Sequence, residues 1–201
     1  MELDRVPDTA HTTSRIRYAT ERDASAIARL YRDTTRVAYR GYVPDAVLDT
    51  RSVADLTQLW TARISQPPSK AYRILVADPP QVSTSSTENP GIATISGFIA
   101  IGAVTGSPEK NETPVPGEIH YLFVAPEKWR TGLGLLLMRH GIDLLRKDGY
   151  HQAILWVFSE NKRARRFYES VGWRYDGLEC PDPAFAAFPN PPLERRYRIT
   201  L

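Results

Sequence analysis

The stretch Gly117-Glu118-Ile119-His120-Tyr121-Leu122-Phe123-Val124-Ala125-Pro126-Glu127-Lys128-Trp129-Arg130-Thr131-Gly132-Leu133-Gly134 decides the fold. Residues 118–124 alternate aromatic and β-branched side chains in the manner of a strand, and Pro126 stops further ladder pairing. Beyond the turn, Leu133, Leu136, Leu137, His140 and Leu144 recur at spacings of three and four, which lays one stripe along a helix that begins at the glycines. The turn at 129–134 is therefore a helix N-terminus fed by a strand. Unpaired N–H groups and the positive end of the helix dipole make such a terminus a site for an anion. Gly132 and Gly134 carry no Cβ, so a phosphate can come close to the backbone.

Working outward, Ala153-Ile154-Leu155-Trp156-Val157 reads as a buried strand, and Ala164, Phe167, Tyr168 and Val171 share the face of a following helix. Asn161 suits the N-cap of that helix and Gly172 the left-handed position past its end. Val124, Pro126, Gly132 and Gly134, followed by Asn161, Ala164, Tyr168, Gly172 and Trp173, resemble the two signature segments of the GCN5-related N-acetyltransferase (GNAT) superfamily, in the same order and at ordinary separation. One position departs: where that family carries Gln or Arg, this chain has Trp129, followed by Arg130. Backbone contacts to a pyrophosphate do not depend on that side chain.

At 201 residues and 42% hydrophobic, the chain suffices for one well-buried core and is short for two domains. Residues 1–14 read as a flexible lead-in and 15–201 as a single domain. A formal net charge of +3 gives no independent case for nucleic acid or membrane as partner. The single cysteine, Cys180, excludes an intrachain disulfide, residues 1–15 lack the apolar core of a signal peptide, and no later segment has eighteen uninterrupted apolar residues; the expectation is a soluble, cytoplasmic protein, monomer or homodimer.

Residues 16–19 alternate as a short strand. Thr20 with Asp23, and Ser52 with Asp55, are capping patterns that open two amphipathic helices. Strands follow at 72–77 and 92–104, the latter interrupted by Gly97 and Gly102, where bulges or close backbone approach are expected. The polar segments 79–91 and 105–116 read as loops, and strands are expected at 173–176 and 196–201. The order is β-α-α-β-β-β-α-β-α-β-β.

This order matches the α/β (α+β) GNAT fold throughout. The resemblance implies a mixed central sheet of about seven strands with four helices, splayed between its fourth and fifth strands. It further implies acetyl-CoA as acyl donor, no metal, and a small-molecule or peptide amine as acceptor. The backbone of Leu122, Phe123 and Val124 would hold the pantetheine and offer an N–H to the thioester oxygen. The turn from Trp129 through Arg130, Thr131, Gly132, Leu133, Gly134 and Leu135 would bind the pyrophosphate. Asn161 and Ala164 would lie along the cofactor arm, and Tyr168 would protonate the departing sulfur. The free phenol pKa of roughly 10 suits that role, because it lies near that of an alkyl thiol.

Glu118 and His120 stand two apart on a strand, a spacing that places both on one face with Leu122; either can take the amine proton through a water. Some amino-terminal acetyltransferases of the family carry a glutamate base five residues before the asparagine, and this chain has Trp156 there. The run Lys162-Arg163-Ala164-Arg165-Arg166 reads as a solvated helical face near a 3′-phosphate, and Cys180 as an incidental residue in a loop away from the splay. Segments 39–50, 79–91 and 177–195 are expected to line the acceptor pocket. Two other readings have their own signatures. A non-catalytic acyl-CoA sensor would keep the glycine turn and lose the acid and base. A P-loop hydrolase would need Lys-Ser/Thr after the glycines, which is not the sequence here.

Overall fold

A computed structural model describes residues 14–50, 52–79, 94–105 and 113–201. Seven strands form one sheet: β1 Ile16–Tyr18, β2 Tyr72–Ala77, β3 Gly97–Ala103, β4 Gly117–Val124, β5 Gln152–Phe158, β6 Arg174–Pro181 and β7 Leu193–Thr200. Their spatial order is β1-β2-β3-β4-β5-β7-β6. The helices are α1 Ala24–Ala38, α2 Asp45–Thr50, α3 Val53–Ile64, α4 Leu133–Lys147 and α5 Lys162–Ser170.

Local chemistry explains where these helices start. The Thr20–Asp23 box leads through a 3-10 turn into α1, the Ser52 hydroxyl accepts the Asp55 N–H at 3.0 Å, and Asn161 Oδ1 accepts the Ala164 N–H at 3.1 Å. Gly172 adopts φ 95° just beyond α5, as its spacing suggested. The strands alternate between two cores. Ile99, Ile101 and Ile119 pack with Leu137 and Leu145 of α4 on one face; Phe98, Ala100 and Phe123 pack with Ile27 of α1 and Trp60 of α3 on the other. Burying these two faces is what makes the sheet the centre of the domain.

Several boundaries differ from the sequence reading. Helix α2, Asp45–Thr50, has no counterpart in the sequence reading. β6 runs on to Pro181 and β7 begins at Leu193, because the two strands pair across Cys180↔Glu194 and Pro181↔Leu193 after an irregularity between Tyr175 and Glu179. β3 begins at Gly97; the lead-in 1–13 and positions 80–93 and 106–112 lie outside the described residues. At Gly102 the anticipated close approach is present, since a Cβ there would lie 2.1 Å from the Ala71 carbonyl oxygen. No helix among the described residues is long and apolar enough to cross a membrane.

Two features of the sheet position the site. β4 and β5 pair in parallel for only three residue pairs, Gly117↔Ala153 to Ile119↔Leu155, and then diverge. Beyond that point β4 stays bonded to β3 and β5 to β7. The second feature is a bulge opposite Ala100 and Ile101, which pair with Tyr121 and Ile119 and leave His120 as the extra residue of β4.

Candidate active site

The turn before α4 is wound by two left-handed residues, Arg130 (φ 65°) and Gly132 (φ 88°). That alternation turns successive N–H groups toward one concavity. Thr131 is tied down, its hydroxyl donating to the Lys128 carbonyl at 2.8 Å. The first helical bond runs from the Leu136 N–H to the Gly132 carbonyl at 3.0 Å, and no side chain caps the helix. The N–H groups of Leu133, Gly134 and Leu135 therefore have no intrahelical acceptor. Leu133 is a core residue, and neither it nor Thr131 lines the adjacent cavity, so what these two can offer a ligand is backbone.

The outer edge of β4 is open where β5 has moved away. The Ala125 N–H bonds the Ser96 carbonyl at 2.9 Å, and alternation along an antiparallel strand then turns Phe123 toward β3, and Leu122 and Val124 toward the splay. Of the three residues expected to hold the pantetheine, Phe123 has its backbone committed to the sheet. The Val124 carbonyl is occupied as well, accepting the Trp129 indole N–H at 2.8 Å. The Arg163 guanidinium lies over the Trp129 ring, 3.2 Å from its centroid. The departure at Trp129 thus brings a cation from α5 to the place where the related motif carries a long polar side chain. Arg165 is also engaged, donating to the Ser159 carbonyl at 2.8 Å and to the Tyr197 hydroxyl. The basic run is therefore a solvated face only in part.

A cavity of about 1210 Å³ runs from this turn through the splay to the face covered by α1, α2 and α3. Tyr168 and Asn161 line it from the α5 side, with Ala164 between them. Burial against Trp173 and Tyr197 pushes the Tyr168 phenol above its ordinary range, so it is held protonated as a donor.

Glu118 and His120 do meet, with Nδ1 3.3 Å from Oε1 and both side chains nearly buried. Glu118 also accepts the Thr105 N–H at 3.1 Å. They do not share a face with Leu122: the bulge at His120 resets the alternation, so Tyr121 and Phe123 pack on the α1 side while Leu122 packs with Ile119 on the α4 side.

Sequence reasoning missed Glu194. Near the start of β7, opposite Phe158 and Cys180, it lines the same cavity. Burial, with the charges of Asp182 and Glu118 adding to it, pushes its carboxyl up to about 8. Cys180 is placed differently from the expectation too: it belongs to β6 rather than a loop and lines this cavity. Segments 39–50 and 177–195 contribute lining residues, among them Tyr39, Leu48 and Phe185, whereas 80–91 lies outside the described residues.

The site fits a long molecule ending in phosphates: a helix terminus with open N–H groups, a cation stacked beside it, and an unpaired strand edge leading inward. Comparison with known proteins agrees. The model described as "Acetyltransferase (GNAT) family" matches residues 69–173. A mycothiol acetyltransferase of Kocuria rhizophila is 35% identical over 72 residues, 34% of this chain and 24% of that protein. This chain therefore spans about a quarter of that relative's length. Among solved structures, PaiA N-acetyltransferase of Thermoplasma acidophilum in complex with coenzyme A superposes with a TM-score of 0.65 at 15% identity, covering 94% of this chain and 99% of that one. YncA of Salmonella typhimurium with acetyl-CoA gives 0.60 at 20% identity, covering 94% of each. At these identities the likeness is one of fold.

Proposed function

We propose that this chain, which belongs to the acetyltransferase (GNAT) family, moves an acetyl group from acetyl-CoA to a primary amine of a small molecule or peptide by direct attack, with both substrates bound. The observation that carries this reading is the convergence on one cavity of the open α4 terminus, the unpaired edge of β4 and the buried phenol of Tyr168. Acetyl-CoA supplies a thioester, an acetyl group activated for attack by nitrogen. The N–H groups of Leu133, Gly134 and Leu135, with Arg130 and Arg163 nearby, hold its pyrophosphate. The Leu122 backbone and the Val124 N–H take the pantetheine along the splay, and Asn161 and Ala164 line the other wall. An N–H of that edge offers a hydrogen bond to the thioester oxygen, where charge grows during attack.

Attack needs the amine neutral, so a base must take a proton, and the departing thiolate needs one back. Tyr168 gives that proton. Among the carboxylates of the cavity, Glu194 is assigned the base. A carboxylate titrating near 8 is a far better match to an amine than one at the usual range near 4. Glu118 and His120 flank the acceptor and, through the charge on Glu118, help to keep Glu194 basic.

A panel of primary amines with acetyl-CoA, read by released thiol, tests the activity; no thiol release above background from any amine would sink it. Tyr168→Phe removes one oxygen and leaves the ring contacts in place. It is expected to lower kcat about tenfold to a hundredfold with acetyl-CoA affinity unchanged, because a thiolate can leave slowly without an acid. Since Cys180 lines the cavity, the order of events also has to be tested at that residue. With direct attack, Cys180→Ala retains turnover within about tenfold and initial-rate lines intersect. Abolished turnover with parallel lines would put the acetyl group on sulfur first.

A further inference from the structure

The acceptor half of the cavity has a cationic corner as well as an acidic one. Arg63, in the last turn of α3, lines the cavity and has no acidic partner among the described residues. Its guanidinium lies against two aromatic rings that meet edge to face, 5.0 Å from the Trp60 centroid and 5.3 Å from that of Tyr121. These cation–π contacts hold the group beside the Tyr72 and Tyr121 hydroxyls. It stands close enough to Tyr72 for the two groups to influence each other's charge. Even so, Arg63 Nη1 and the Tyr72 hydroxyl are each buried without a hydrogen-bond partner among the described residues. His120, its ring centroid 5.3 Å from that of Tyr72, directs Nδ1 at Glu118 and leaves Nε2 buried and unpartnered too. The three residues line one cavity. A buried polar group left without a partner is costly, more so when charged, so three such groups together call for a ligand.

We infer that Arg63, Tyr72 and His120 form an anion subsite that receives a carboxylate of the acceptor, and that the acceptor is therefore an amino acid or a similar amino-carboxylate rather than a simple amine. This rests on the acetyl-transfer reading and narrows it. A planar guanidinium offers paired N–H donors along its edge, the geometry that matches a carboxylate. Across the same face of the sheet, Tyr72 and Glu118 are both register partners of Gly102, which has no side chain to separate them. An acceptor lying across this row places its acid group at Arg63 and its amine toward Glu118 and Glu194, beside the splay. Opposite charge at the two ends of the pocket then orients a zwitterion in one direction only.

Calorimetry with coenzyme A present tests this without depending on turnover. N-acetylphenylalanine is expected to bind at least about tenfold tighter than N-acetylphenethylamine, which is the same molecule without its carboxylate, as one charge-assisted contact predicts. Arg63→Met is expected to erase the difference. Tyr72→Phe, which keeps the ring and deletes only the hydroxyl, is expected to reduce it at least about threefold. Equal binding of the two probes by the parent protein would overturn the inference, as would a preference that survives both substitutions. Absence of coenzyme A binding in the same titrations would instead overturn the acetyl-transfer reading itself.

Discussion

At pH 8, with acetyl-CoA saturating, Glu194→Gln is expected to turn over about a hundredfold more slowly than the parent, or worse, because it removes the group that takes the amine proton while preserving shape. The direction of the pH dependence follows from the raised carboxyl. Below about 8 the parent's Glu194 is protonated and cannot act as a base; above it the carboxylate is present and kcat climbs. In the variant that limb should be missing, with acetyl-CoA affinity by calorimetry unaltered. Glu118→Gln separates the two carboxylates. Glu118 raises Glu194 through its charge, so its removal should slide the limb to lower pH. A limb that disappears in Glu118→Gln and persists in Glu194→Gln would transfer the role to Glu118.

Gly134→Asp is expected to weaken acetyl-CoA binding at least about a hundredfold while the protein melts within a few degrees of the parent. The nearest atoms to a Cβ at this position would be those of the Phe167 ring, at 3.6 Å, and Val124 Cγ2, at 3.8 Å, both ordinary contacts. The new carboxylate would sit in the first turn of α4, where a negative charge is favourable to the helix. The features that suit that carboxylate, open N–H groups and a positive dipole end, are the ones a pyrophosphate needs, so the side chain competes for the ligand's place. Gly134→Ala, which adds bulk without charge, should bind nearly as the parent does. An aspartate variant with undiminished affinity would remove the pyrophosphate from this turn.

What could be read from the sequence was what depends on near neighbours. The α4 terminus, the Asn161 cap and the left-handed Gly172 are each set within a few residues, and each is found where spacing put it. Missed features depend on register between distant segments. One extra residue at His120 reverses which face Leu122 occupies, and nothing in an alternating string announces a bulge. Glu194 reads as an ordinary polar residue before a strand; its proximity to Glu118 and Asp182 arises only when β7 inserts beside β5. Arg63 looks like the solvated end of an amphipathic helix, and the aromatic rings it packs against come from α3 and β4 together. Cys180 was displaced from its expected loop because β6 resumes pairing after an irregularity.

The three-pair joint between β4 and β5 has a mechanical consequence. The sheet consists of two antiparallel blocks, β1 to β4 and β5 to β7, stitched together along a short parallel seam. Under a force that slides one block past the other, the load falls on those few rungs, whereas the strands on either side of the seam are paired along seven residues each, β4 to β3 and β5 to β7. A molecule lying in the gap adds rungs where the stitching ends and acts as a rivet between the blocks. Because a ligand bound only by the intact form adds its binding free energy to the resistance, the tensile strength of this protein should rise and fall with the supply of what it binds.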